Sequence, residues 1–181
     1  MTLWIITGER GSGKTTFCTE FVRMAQLESW DAAGILSPAI FREDQKIAIS
    51  ARDIRGGTHR ILAALTRRNA SDLEFGEWFF NRVALDWGNE VIRASVPCDL
   101  LVIDELGPLE FNLKVGWLSA LDVVKTGKFS LALVVIRPEL LETARELLHP
   151  DEMILLQGEK LNASSLARAY AVRLRKIRGD S

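Results

Sequence analysis

The sequence predicts an α/β fold of three layers, with a mostly parallel sheet covered by helices on both faces. Two observations carry that reading. The runs Leu3–Thr7, Leu100–Ile103 and Leu131–Ile136 are apolar along their length, as strands buried on both faces are. Segments with helical spacing lie between them, and strands alternating with helices build a parallel sheet.

The elements follow in chain order. Leu3–Thr7 reads as a first strand, ended by Gly8. From Lys14 to about Glu28 the apolar positions Phe17, Phe21, Met24, Ala25 and Leu27 fall near helical spacing. Ile35–Ile40 reads as the second strand. The polar run Arg42-Glu43-Asp44-Gln45 then turns the chain, and Ile47, Ile49 and Ala51 alternate with polar or small neighbours. That pattern predicts a β-hairpin inserted after the second strand.

Gly56-Gly57 breaks the strand, and Thr58 is placed to cap a helix carrying Ile61, Leu62 and Leu65. Phe79, Val83 and Trp87 step at helical intervals, so Glu74–Ala94 reads as one aromatic-rich helix whose rings read as core packing, with base stacking by one of them the lesser alternative. A helix is predicted over Val115–Lys125. Another follows Arg137-Pro138 and runs to about Leu148. Met153–Leu156 reads as a short strand, and Asn162 as the cap of a terminal helix reaching about Ile177.

At 181 residues the chain is long enough for one domain, spanning 1–181, with a sizeable core. A net charge of −1 gives no global attraction to nucleic acid or an anionic membrane. The basic stretch RLRKIRG near the end reads as a solvated helix terminus. No apolar run approaches the roughly 18 to 20 residues that span a bilayer, so no membrane association is expected. Cys18 and Cys98 have no metal-ligand or redox spacing and read as small core residues. With no disulfide framework and no cleavable leader, a cytoplasmic location is expected.

Chemistry concentrates in two segments. Gly8-Glu9-Arg10-Gly11-Ser12-Gly13-Lys14-Thr15-Thr16 fits the pattern G-x-x-x-x-G-K-[ST] between a strand and a helix. Its glycines let backbone N–H groups turn inward and join the helix N-terminus as an anion site. Lys14 is placed to reach the outer phosphates of a nucleotide, and Thr15 to set its hydroxyl on Mg²⁺.

The second segment is Asp104-Glu105, which follows an apolar strand. In an open parallel sheet, ligands sit beyond the carboxyl ends of the strands, so these acids face the same crevice as the phosphate loop. Asp104 suits an outer contact to the metal. Glu105 suits orientation and deprotonation of an attacking water. Arg137 also ends a strand and suits stabilisation of charge on the terminal phosphate, although a solvated strand-end arginine has the same sequence appearance. Arg42 in the hairpin is a weaker candidate. Glu110 reads either as a support for the site or as an exposed acid. Arg52, Arg55, Arg60, Arg67 and Arg68 read as solvated surface, or as the lid of a kinase.

The segments TGERGSGKTT, GILSPAIF and LVIDELGPLEF together resemble the THEP-type nucleoside triphosphatases, small P-loop proteins. VVIRPELLE and Gly116-Trp117 are similar to the bacterial branch. The resemblance runs from Thr7 to about Leu141. It implies a fold similar to the RecA-like branch of P-loop proteins. It also implies slow Mg²⁺-dependent hydrolysis of ATP, GTP and other nucleoside triphosphates with loose base preference. Gly8–Thr16, Asp104 and Glu105 match the family pattern position by position. The hairpin departs from it: family members often carry P-E-V-R and R-x-G-F where this chain has Pro38-Ala39-Ile40-Phe41-Arg42 and KIAISARDI. Two other readings stay open, a nucleotide or small-molecule kinase and a nucleotide-dependent binding switch whose protein partner the sequence does not name.

Overall fold

The computed structural model describes residues 1–157 and 160–179. Ten strands among them form one sheet. Its parallel part is built from β1 (Thr2–Thr7), β2 (Ala32–Leu36), β8 (Cys98–Leu106), β9 (Phe129–Ile136) and β10 (Glu152–Leu155), in the order β10-β1-β9-β8-β2. Every neighbouring pair in that row is parallel.

Side chains alternate across this sheet and make two cores, one per face. On β9, Leu131, Leu133 and Val135 join one cluster, and Ala132, Val134 and Ile136 the other. The first face is covered by α1 (Lys14–Leu27), α6 (Lys160–Ala171) and the short α7 (Leu174–Arg178). The second is covered by α2 (Arg82–Ala94), α4 (Leu118–Thr126) and α5 (Leu141–Leu148). Burial of a large apolar side chain stabilises by about 1.5–3 kcal/mol, so these two faces supply most of the driving force. Trp4 on β1 fastens the first face: its ring meets Phe21 at 5.9 Å and Tyr170 at 5.6 Å, both edge-on. Gly34 keeps β2 close to β8, because a Cβ there would collide with the Val102 carbonyl.

The antiparallel extension is larger than the predicted hairpin. The expected strand Ile35–Ile40 divides at Ser37-Pro38 into β2 and β3 (Ala39–Arg42). Strand β4 (Gln45–Asp53) pairs back with β3 and also with β2. Glu43 and Asp44, at φ of 47° and 61°, form the two-residue turn that the polar run predicted. The helix expected from Thr58 is instead a strand, β5 (His59–Ala64), paired with β4. Local propensity favoured a helix there, but long-range pairing decides.

The expected helix Glu74–Ala94 is also corrected. Its first part is a hairpin, β6 (Leu73–Phe75) and β7 (Trp78–Phe80), turned by Gly76 at φ 59°. Helix α2 begins only at Arg82, capped by Asn81, whose Oδ1 accepts from the Ala84 amide at 2.9 Å. The helical spacing of Phe79 with Val83 was coincidental, and Val83 is exposed. The helix expected over Val115–Lys125 begins later, at Leu118. Asn162 stands inside α6 rather than at its cap, and the position before Lys160 lies outside the described residues. The basic terminus is not merely solvated: Leu174 is buried, Arg173 pairs with Glu152 at 2.7 Å, and Arg175 pairs with Glu28 at 3.0 Å.

Candidate active site

Strand order positions the site. Strand β9 separates β1 from β8, so the ends of β1 and β8 are roughly 10 Å apart, two strand spacings. The phosphate loop leaves β1, the acids lie on β8, and Arg137 follows β9 between them.

The loop wraps around its own lysine. Lys14 Nζ donates to the Gly8 carbonyl at 2.7 Å and to the Glu9 carbonyl at 3.0 Å. The Ser12 amide donates to the Glu9 carbonyl at 3.1 Å and closes the turn. Gly8, at φ 142°, permits this path, since a Cβ would strike the Leu156 carbonyl and the Ser12 side chain. Helix α1 starts behind Gly13 with no side-chain cap, so its first amides have no intrahelical partner and the positive end of the helix faces the loop.

At the other side of the site, β8 does not stop at Ile103 as expected but continues to Leu106. Ile103 lies opposite Val134 and Leu106 opposite Ile136, so Asp104 and Glu105 together oppose Val135. That is a bulge, which re-aims side chains. Their peptide bond is cis. The bulge gives the two acids different surroundings.

Asp104 is 2% exposed. Its Oδ2 accepts from the Ser37 amide at 3.0 Å, and the Thr15 hydroxyl lies beside its carboxylate. Burial, with some repulsion from Glu105, pushes its pKa up to about 6, against the opposing pull of the Ser37 amide, the Thr15 hydroxyl and the Lys14 charge. Glu105 is more open. Its Oε1 accepts from Arg137 Nε at 2.6 Å.

Glu110 is 4% exposed and is therefore no surface acid. Oε2 accepts from the Gly107 amide at 2.9 Å and Oε1 from the Trp117 amide at 2.8 Å, tying down the short helix α3 (Pro108–Phe111) that follows β8. Burial raises its pKa and the backbone amides oppose that rise.

Several candidates from the sequence lie elsewhere. Arg42 is exposed at the hairpin turn. Arg55 pairs with Asp31 at 2.6 Å and donates to carbonyls of Ala94, Ser95 and Pro97, near the amino end of β8. Arg60 lies over Trp87, and Arg67 pairs with Glu74 at 2.8 Å. These three form no lid over the loop.

Two residues missed in the sequence belong to the site. Ser37 supplies the amide that holds Asp104; the signal was Pro38, which ends β2 at the carboxyl edge. Lys46 on β4 is half-buried, within reach of charges on Arg10, Glu105, Arg137 and Asp104. Nothing local marks it, because only the folding-back of the extension brings it there.

Two cavities adjoin these groups. One, of about 580 Å³, is bounded by Gly8–Ser12, Pro138 and Leu155–Gln157. Its size suits a small-molecule ligand such as a nucleoside. The other, of about 80 Å³, lies beside Glu105 and Arg137 against Ile49, Phe75 and Phe80. It has room for a few waters and falls well below the roughly 300 Å³ at which ligand sites begin.

The donor set fits Mg²⁺. Thr15 and Asp104 present oxygen atoms to one another, and a hard cation of this kind takes one or two protein oxygens and completes its shell with water and phosphate. The buried Oγ atoms of Ser12 and Ser37 have no hydrogen-bond partner among the described residues, consistent with a place built for polar ligands.

A phosphate loop, a strand-borne acid pair and a parallel sheet in this order define a P-loop nucleotide-binding protein. The family described as NTPase matches residues 4–157. Relatives include the nucleoside-triphosphatase THEP1 of Methanosarcina acetivorans, 30% identical over 66% of this chain and 67% of that protein. The THEP1 of Methanosarcina barkeri is 27% identical over 96% of this chain and 97% of that one. Among solved structures, a human cancer-related nucleoside triphosphatase superposes with a TM-score of 0.71 at 18% identity, covering 97% of this chain and 98% of its own. THEP1 from Aquifex aeolicus superposes with a TM-score of 0.68 at 16% identity, covering 96% of this chain and 99% of its own, and at such identities the likeness concerns the fold. The chain belongs to the NTPase family, the THEP1-type nucleoside triphosphatases.

Proposed function

We propose that this nucleoside triphosphatase is Mg²⁺-dependent and converts ATP, GTP and other nucleoside triphosphates to the diphosphate and phosphate, slowly and with loose base preference. The observation that carries this reading is the bulge on β8. It sends Asp104 to Thr15 at the helix N-terminus and Glu105 to Arg137 at the open edge.

In this scheme the loop amides and Lys14 bind the outer phosphates, and Lys14 exchanges its carbonyl contacts for phosphate oxygens. Thr15 and Asp104 would hold Mg²⁺, which supplies charge neutralisation on the phosphates when bound. Glu105 Oε1 is engaged by Arg137, so Oε2 is the oxygen available to orient a water and take its proton. Arg137 fixes that carboxylate and lies where it can stabilise charge on the terminal phosphate.

The nucleoside fits the larger cavity. Among its described lining residues beyond the loop, Pro138, Leu155 and Leu156 are apolar and Gln157 offers an amide, which supports loose reading of the base. The kinase alternative loses support, because the space beside Glu105 is too small for a nucleotide acceptor and the candidate lid arginines Arg55, Arg60 and Arg67 are tied down elsewhere.

We read residues 1–181 as one catalytic domain, supported by the continuous sheet and the length of the family match. A cytoplasmic setting is supported by the unpaired Cys18 and Cys98, and no helix among the described residues is long and apolar enough to cross a membrane. Placement in the bacterial branch rests on VVIRPELLE and Gly116-Trp117, while the curated relatives named above are archaeal. Steady-state hydrolysis of ATP, GTP, CTP and UTP, each with and without Mg²⁺, tests the function. Comparable turnover on all four that vanishes without the metal is expected; activity on one base alone, or without Mg²⁺, contradicts it.

A further inference from the structure

Lys46 is an unusual cation. It sits on β4, opposite Phe41 of β3, and is half-buried. Among the described residues no carboxylate pairs with it and no hydrogen bond holds it. Its ammonium lies 5.0 Å from the centroid of the Trp78 ring. A buried or half-buried charge ordinarily has a partner, and one that lacks it is a candidate for a ligand contact.

The surroundings say what the ligand is. The charges that act on Lys46 are Arg10 from the phosphate loop, Asp104 and Glu105 from β8, and Arg137 after β9. Burial and the two arginines weaken its hold on a proton, and an anion placed among these cations would relieve both. The extension that carries Lys46 is itself fastened to the loop. Glu77, adjacent to Trp78 at the β6–β7 turn, accepts from both terminal nitrogens of Arg10 at 3.4 Å. The extension that meets the loop through Glu77 therefore also carries Trp78, whose ring lies against the Lys46 ammonium.

We infer that Lys46 is a catalytic residue supplied by the antiparallel extension, its ammonium contacting the terminal phosphate of the bound triphosphate opposite Lys14. Lys14 grips the phosphates from the loop side, Arg137 approaches from the sheet, and Lys46 closes the third side from the hairpin. Charge that develops on the transferred phosphoryl group then meets fixed positive groups in a partly dry site. The hairpin departs from the family pattern in sequence, and it nonetheless delivers a cation.

The inference rests on the proposed triphosphate site, and the experiment separates the two. In the full chain, Lys46→Met keeps an apolar stem against Trp78 and removes the charge, while Lys46→Arg keeps a charge. Turnover of Mg²⁺–ATP, binding of ATP and ADP, and melting temperature are measured for both variants and for the parent. Lys46→Met is expected to lower kcat by about 100-fold, to leave ADP affinity within about twofold, and to leave the melting temperature near the parent's. Lys46→Arg should recover most of the lost rate. A Lys46→Met chain with parental kcat and KM overturns the inference. So does equal loss of ATP and ADP affinity together with a lowered melting temperature, which marks a structural role. A parent chain that neither binds nor hydrolyses ATP overturns the underlying site assignment instead.

Discussion

Arg137 Nε and Glu105 Oε1 are 2.6 Å apart, joining the ends of two adjacent parallel strands. The pair links the residue proposed to activate water to the residue proposed to steady the phosphate. It also limits Glu105 to one free oxygen. Arg137→Ala should therefore disturb both roles, lowering kcat by about 10²- to 10³-fold with little change in KM. Arg137→Lys should fall between, since an ammonium keeps charge but not the planar guanidinium contact. Steady-state kinetics of the two variants checks this, and parental kcat in Arg137→Ala contradicts it.

Lys14 is the anchor of the loop, with two carbonyls held at 2.7 and 3.0 Å. Lys14→Ala removes the ammonium proposed to grip the phosphates from the loop side. Titration calorimetry with ATP should show affinity reduced by at least about 10- to 100-fold, as loss of a charge-assisted contact of about 1.5–3 kcal/mol requires. Unchanged affinity would remove the phosphate-grip assignment.

Glu110 acts on stability. Two backbone amides depend on its carboxylate, those of Gly107 and Trp117. Glu110→Ala leaves both without their acceptor in a buried place, at about 1–3 kcal/mol each. Denaturant unfolding should show a loss of about 2–5 kcal/mol. A loss under about 0.5 kcal/mol contradicts the role.

Glu20 couples α1 to α6. It accepts from Arg23 at 2.9 Å and from Arg168 at 2.6 Å. Those two hydrogen bonds, Arg23's first, bring its pKa down to about 2. A depressed carboxylate pKa stabilises the fold above the unfolded value of about 4.3 and loses that contribution as pH falls toward 2. Both arginines are more than half exposed, so solvent screening limits the effect to about 1 kcal/mol. Glu20→Gln should lower stability at pH 7 and match the parent near pH 2. Equal stability of the two chains across that range contradicts the coupling.

Much of the parallel sheet was legible in the sequence because doubly buried strands must be apolar wherever they occur. Leu131–Ile136 and the glycines of the loop carry their own signatures. The antiparallel extension was not legible. Ile61 to Ala64 could form a helix or a strand, and pairing with Ala48–Ser50 decides between them. The spacing of Phe79, Val83 and Trp87 hid the real boundary, which Asn81 marks by capping α2. At the site, Asp104 and Glu105 were visible as a pair, but the bulge that divides them depends on register with β9. Lys46 was invisible for a related reason, since Trp78 meets it only after the extension folds back.

In the proposed site Glu105 activates water while the loop and Asp104 hold the nucleotide. Glu105→Gln tests it most directly, because the amide keeps the shape and loses the base. Single-turnover hydrolysis of Mg²⁺–ATP should slow by about 10²- to 10⁴-fold, with ATP affinity close to that of the parent. Hydrolysis at the parental rate would show that Glu105 is not the base.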